Sequence, residues 1–366
     1  MRKSSLVLSV LAAFAVGNAN AEVNITCFAS VYGGKVLSGT GVEDFGLPPT
    51  FLATYPTVGV YEEAWSFKPD SKYGLQFSAD LAEGLTATAQ LVGRGSDDYN
   101  AELEWAYLSY QLNEHWTIQA GKKRLPLYYY SDFFDVGYAY LWARPPADNY
   151  TWQIFNYNGV NAQFNYQVGD WAIGGNLYTG REDDPSNKLL SEFFGSQPVR
   201  EIWKDIMGGV LTLNREWLDL RVTYMKYTNE RYRNGQRVTW NGKDTREGSF
   251  KGIAANIDYN NWLLLTEFNK LTLDEGDFDT YMVSTGYRIG NFTPYISYAD
   301  FFARDGEMHN TTSVGARWDF HSSAAFKLQF DKVEDNGYHV LAGNTVSNQM
   351  VAGDSRAITF GVDLVF

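Results

Sequence analysis

From residue 23 to the C-terminus, apolar and polar positions alternate in segments of about ten residues, the period of a β-strand with one apolar and one polar face. The last segment is the plainest. Ile358, Phe360, Val362, Leu364 and Phe366 fall on one face, and Thr359, Gly361 and Asp363 on the other. Comparable segments lie near 23–38, 69–80, 85–95, 99–112, 115–125, 158–168, 171–180, 208–215, 218–229, 249–260, 262–273, 278–290, 292–303, 311–320, 324–335 and 355–366, which predicts sixteen strands. The stretch 58–67 has room for further strand. After residue 21 no run of eighteen apolar residues occurs, so transmembrane helices are excluded.

The connections divide into two kinds that alternate along the chain. Short turns fall at 80–85, 112–115, 168–171, 215–218, 260–262, 289–292 and 320–324; between them lie longer links near 39–68, 126–157, 181–207, 230–248 and 336–354, with brief ones near 96, 275 and 306. A soluble sandwich turns its apolar face inward and has no reason to segregate its loops. A transmembrane barrel turns that face to lipid and keeps short turns at one end. The expected fold is therefore all-β, a transmembrane antiparallel barrel formed by 22–366 as one domain. Trp65, Phe67, Tyr107, Trp116, Trp171, Trp217, Trp262, Phe292, Trp318, Phe320 and Phe366 sit at or near strand ends, where a bilayer interface favours amphipathic rings.

Composition fixes the compartment and removes several function classes. Arg2 and Lys3, the apolar run Leu6 to Val16 and the small residues Ala19-Asn20-Ala21 read as a secretory leader over 1–21. Setting Arg2 and Lys3 aside leaves 28 basic against 43 acidic side chains, which excludes nucleic acid as a partner. The single cysteine, Cys27, permits no internal disulfide. The histidines at 115, 309, 321 and 339 are scattered, and neither a Gly-x-Ser-x-Gly elbow nor a His-Glu-x-x-His pair is present, so no enzymatic activity, cofactor or metal centre is expected. The acidic tracts at 182–184 and 274–277 lack the ligand spacing of a calcium loop and read as solvated outer-surface loops, positioned to meet cation-bridged lipopolysaccharide.

One stretch refuses the strand pattern. Twelve of the 32 residues from Pro126 to Tyr157 are aromatic, against 16% for the whole chain. It also carries Asp132, Asp135, Arg144 and Asp148, with Pro145 and Pro146 as breakers.

The segments Ala29-Ser-Val-Tyr-Gly-Gly34, Gly74 to Leu85, Phe292 to Tyr298, Ser313 to Trp318 and the terminal Phe366, taken in order, resemble the trimeric sixteen-stranded general porins of Gram-negative outer membranes. That resemblance implies a homotrimer in outer-membrane lipid. It also implies passive diffusion of ions and small hydrophilic solutes, a third long loop folded inward to narrow the pore, and a role for Phe366 as a signal to the barrel assembly machinery. The third long link here is Pro126 to Tyr157. Two features depart from the family: its acidic Pro-Glu-Phe-Gly-Gly loop motif is absent, and the second loop, near Ser96 to Asp98, is too short to reach over a neighbouring subunit.

The parity opposite the apolar one gives the lumen lining: Arg94, Lys123, Arg221, Arg288, Arg317 and Lys327, with Glu102, Glu104, Asp219, Asp258, Glu267, Asp319, Asp331 and Asp363. A charge facing lipid at mid-bilayer would cost about 2–4 kcal/mol. Lys122, Lys123 and Arg124 lead into the aromatic stretch, so a basic wall facing the acids of the loop would set a transverse field and an ion preference. Two alternatives follow from the same residues. Tyr128, Tyr130, Phe134, Tyr138, Tyr140 and Trp142 offer stacking faces for a substrate-specific, for example sugar-selective, channel. An occluded barrel would serve as a non-conducting receptor or envelope structure.

Overall fold

The computed structural model describes residues 23–41, 48–274, 276–303, 306–337, 339–341, 344–346 and 353–366; the leader expected at 1–21 lies outside the described residues. Among the described residues sixteen long strands follow one another: β1 (Val23–Gly39), β2 (Lys72–Ala82), β3 (Leu85–Arg94), β4 (Ala101–Gln111), β5 (Trp116–Arg124), β6 (Asn156–Val168), β7 (Trp171–Asp184) and β8 (Val199–Arg215), then β9 (Leu218–Arg233), β10 (Arg246–Tyr259), β11 (Trp262–Leu273), β12 (Gly276–Tyr287), β13 (Phe292–Ala303), β14 (Met308–His321), β15 (Ala324–Asp335) and β16 (Ser355–Val365). Each pairs antiparallel with its chain neighbours, and the two-residue piece Gln236–Arg237 extends the pairing beside β9.

The sheet closes on itself. β1 pairs with β2 from Val23↔Ala79 to Ser30↔Lys72 and with β16 from Phe28↔Val365 to Gly39↔Ser355. The terminal Phe366 completes the seam by exchanging backbone hydrogen bonds with Cys27 at 2.6 and 2.9 Å. Closure removes both sheet edges, so the backbone groups of a spanning strand are satisfied without water.

Alternation maps onto the two faces of the wall. Leu177, Ile253 and Val314 are half or more exposed on the outside, whereas their chain neighbours Tyr178, Ala254 and Ser313 are buried inside. Trp217, Tyr259, Trp262, Tyr287, Phe292, Trp318, Phe320 and Phe366 stay exposed at the short-turn end, as interfacial rings do. Tyr107, grouped with such rings on sequence, instead faces inward beneath the Lys123 ammonium, 4.3 Å from its ring centroid.

Among the departures from the strand pattern read off the chain, two bear on the interior. β8 starts at Val199 rather than near 208, because a bulge between Lys204 and Met207, with Asp205 at φ 52°, shifts the parity and hides the upper half of the strand. In the first long loop, Phe51–Thr54 and Gly59–Tyr61 form a hairpin that packs Phe51, Ala53 and Tyr61 against Val36, Val333 and Ala357.

Candidate constriction site

The ladder between β5 and β6 stops at Arg124↔Asn156, and residues 125–155 leave the wall. Pro126, Pro145 and Pro146 supply no backbone donor, so this segment makes turns instead of a ladder. Ser131 Oγ accepts from Tyr128 N at 2.9 Å, and single 3₁₀ turns form at Ser131–Phe133 and Gly137–Ala139.

The segment crosses the barrel interior, as its partners on separate strands show. Near its start, Arg221 of β9 donates to Pro126 O at 2.6 Å, and Tyr129 donates from its backbone N to Glu267 of β11 at 3.0 Å and from its hydroxyl to Asp219 of β9 at 2.9 Å. Further along, Trp142 Nε1 donates to Ser284 Oγ of β12 at 2.9 Å, and Ala143 N to Gln329 of β15 at 2.9 Å. Lys327 of β15 donates to Gly137 O and Trp142 O, each at 2.7 Å, while pairing with Asp363 of β16 at 2.9 Å. Arg317 of β14 donates to Tyr138 O and Tyr140 O at 2.7 and 2.5 Å.

Rings hold the segment in one shape. Trp152 meets Trp203 edge-on at 5.1 Å and Phe250 at 5.3 Å, and Tyr128 packs on Tyr150 at 4.7 Å. Burying each such side chain is worth about 1.5–3 kcal/mol. Of the six rings offered as stacking faces, Tyr128, Phe134, Tyr140 and Trp142 are buried in this packing. Tyr130 and Tyr138 are half-buried and keep a face toward open space.

The charged candidates separate into anchors and accessible groups. Arg124 reaches Glu104 at 3.0 Å and Asp135 at 2.6 Å, and Arg94 reaches the same two carboxylates at 2.5 and 2.7 Å. Burial works against the Asp135 charge, but Arg94 and Arg124 outweigh it and hold the carboxyl below the ordinary carboxylate range. Arg144 pairs with Asp70 of the first long loop at 2.9 Å and Asp331 of β15 at 3.2 Å, also donates to Thr359 Oγ1, and lies over the Phe51 ring at 5.0 Å. Burial nonetheless pushes the Asp70 carboxyl up, against the pull of Arg144. Asp148 meets His309 Nδ1 of β14 at 2.6 Å. The pairs of Asp135, Arg144 and Asp148 are buried ties between the crossing segment and its surroundings, and Glu104 joins Arg94 and Arg124 within the wall behind them.

Lys122, Lys123 and Asp132 are different. Lys122 reaches Leu103 O at 2.8 Å on the long-loop side. Asp132 and Phe133 form an exposed tip, and Asp132 acts electrostatically on Lys123, Tyr107 and Tyr157 of the facing wall, while the Lys123 ammonium bonds Gln119 rather than Asp132. Two cavities flank the segment. One of about 720 Å³ on the long-loop side reaches Arg94, Glu102, Glu104, Lys122 and Arg124. The other, of about 450 Å³ at the short-turn end, is lined by Tyr129, Tyr130, Tyr138, Asp219, Arg288 and Arg317.

Among the lumen candidates, Glu267 accepts from the loop at Tyr129 N and Tyr150 OH, and Arg288 forms a two-pronged pair with Asp258 at 2.5 and 2.6 Å. Sequence reasoning missed Asp70 and His309. Asp70 lies 74 residues from Arg144, at the head of a segment read as strand from 69 whereas the strand starts at Lys72, and His309 is one of four scattered histidines.

No protein-family model and no curated protein matches the sequence. Solved structures do. The outer membrane channel DcaP of Acinetobacter baumannii superposes with a TM-score of 0.60 at 10% identity, covering 96% of this chain and 99% of that one. The anion-selective porin from Comamonas acidovorans gives 0.58 at 13% identity, covering 95% and 100%. The trimer form of the outer membrane protein OmpT of Vibrio cholerae gives 0.55 at 10% identity, covering 94% and 99%. These likenesses are of fold: the chain shares its closed antiparallel barrel with these outer-membrane proteins.

Proposed function

We propose that the chain is an outer-membrane channel for passive diffusion of ions and small hydrophilic solutes, narrowed at mid-height by the 126–157 segment. The observation that carries this reading is the wall itself, closed and apolar outside, with a tethered segment crossing its polar interior and leaving Asp132 exposed at its tip, within electrostatic reach of Lys123. A charge on each side of a narrow wet gap orients dipolar solutes and sorts ions by sign. Arg94, Glu104, Arg124, Asp135, Arg144 and Asp148 then act as the frame that fixes the gap, and Arg221, Glu267, Arg288 and Arg317 as lumen wall that also holds the segment.

Export through a cleaved leader at 1–21, recognition of Phe366 by the assembly machinery and contact of lipopolysaccharide with the acidic tracts 182–184 and 274–277, whose residues 182–184 and 276–277 lie in the long-loop ends of β7 and β12 rather than in loops, complete the reading. Assembly as a homotrimer is supported by the outer wall of β2–β5, where Ala79, Ala87, Ala89, Ala106 and Ala120 line an apolar hollow of about 390 Å³. Small residues let a second copy approach closely.

Liposome swelling tests the function. Purified protein in lipid vesicles should admit neutral solutes with a rate that falls with size. Vesicles that stay impermeable to every solute would instead fit the non-conducting barrel, whose support is the first-loop hairpin and Arg144 ties that occupy the long-loop half of the interior.

A further inference from the structure

The rings of the crossing segment fall into two groups with different surroundings. Most are buried, while the half-buried Tyr129, Tyr130 and Tyr138, joined by an edge of the buried Tyr140, line the cavity of about 450 Å³ at the short-turn end. That volume lies in the ~300–1,000 Å³ range of small-molecule sites. Tyr129 and Tyr130 stand edge to face at 4.9 Å, so their planes diverge and form a corner. Opposite them both arginines are paired, and Glu216 lies exposed at the rim. Arg288 is held by both oxygens of Asp258, at 2.5 and 2.6 Å, and Arg317 by Asp319 at 2.8 Å. Asp219 accepts the Tyr129 hydroxyl at 2.9 Å.

Such a lining suits a particular chemistry. Ion pairs cancel one another's long-range field, so neither arginine is left free to hold an anion. Their outer N–H groups and carboxylate lone pairs still offer donors and acceptors in fixed positions. A sugar hydroxyl both donates and accepts, and the C–H face of a pyranose covers an aromatic ring. We propose that this cavity is a binding vestibule for a neutral saccharide of one or two rings. It rests on the channel reading only for the route by which the sugar arrives.

The test uses maltose as the probe on the full chain in planar bilayers. Added from the short-turn side, maltose should reduce the ion current in a saturable way. Tyr130→Leu and Tyr138→Leu, which keep apolar bulk and remove the π face, should each weaken the block about tenfold, which is ~1.4 kcal/mol. Asp219→Asn, which leaves the rings in place, should weaken it in the same direction. Three outcomes would overturn the proposal: a conducting wild type with no saturable block, a block unchanged in all three variants, or choline blocking better than maltose. Should the wild type fail to conduct, the channel reading fails on its own, and titration calorimetry of detergent-solubilised protein with maltose decides the site: saturable heat supports it and none overturns it.

Discussion

Arg144→Ala is the perturbation that reaches furthest into this architecture. The guanidinium sits between two carboxylates whose side chains are 3% and 1% exposed, one on the first long loop and one on the wall. Removing it leaves Asp70 and Asp331 buried without their cation, a loss of about 3–5 kcal/mol for a broken buried pair. The barrel ladder touches none of these atoms, so the cost falls on docking of the segment. Its first half stays tied by Lys327 and Trp142, and the change is confined to about residue 143 onward. A shift of 3–5 kcal/mol turns a firmly docked segment into one that exchanges between docked and released forms. In single-channel records the variant should show larger and noisier openings and should admit solutes that the wild type rejects. Adding Asp70→Asn and Asp331→Asn removes the stranded charges and should recover much of the wild-type behaviour. Unchanged conductance and size cut-off in Arg144→Ala would refute the argument that this pairing holds the constriction.

Further predictions follow from the same contacts. Lys123→Glu should move the reversal potential in a salt gradient toward cation preference, and Asp132→Ala toward anion preference; if neither moves it, these residues do not line the gap. Gly137→Ala would place a Cβ 2.0 Å from Asp363 Oδ1 and 2.6 Å from Ser30 Oγ. It should disturb the Lys327–Asp363 pair and lower thermal stability by about 1–3 kcal/mol, read from the temperature at which the barrel loses its compact electrophoretic mobility. Asp135 has a depressed carboxyl in the folded chain, so its contribution is present above the unfolded value of 3.8 and is lost only as pH falls through its lower folded value. Docking should therefore be level from pH 7 to about 4.5 at this site, whereas Asp135→Asn should weaken it across that whole range, as tryptophan emission can follow.

The fold was legible because a closed membrane wall imposes one rule on every strand, and a rule repeated along the chain survives local noise. Alternation failed where backbone geometry broke it, at the Lys204–Met207 bulge of β8. The crossing segment was legible as an aromatic anomaly. Its internal division was not, since whether Tyr140 or Tyr130 keeps an open face depends on which wall residues lie behind it. The charged site was legible as a set of residues and hidden as a set of pairs. Arg144 with Asp70, and Asp148 with His309, join positions whose closeness exists only once the barrel has closed. Parity can place a charge inside, but it cannot say whether that charge is tied or free.

The most direct test of the account is the single-channel current of the purified full chain in a planar bilayer, recorded in a salt gradient for the wild type and for Lys123→Glu. The account predicts discrete conductance steps in both, with the reversal potential displaced toward cations in the variant. A wild type that inserts into the bilayer as a heat-modifiable barrel yet passes no current would contradict it.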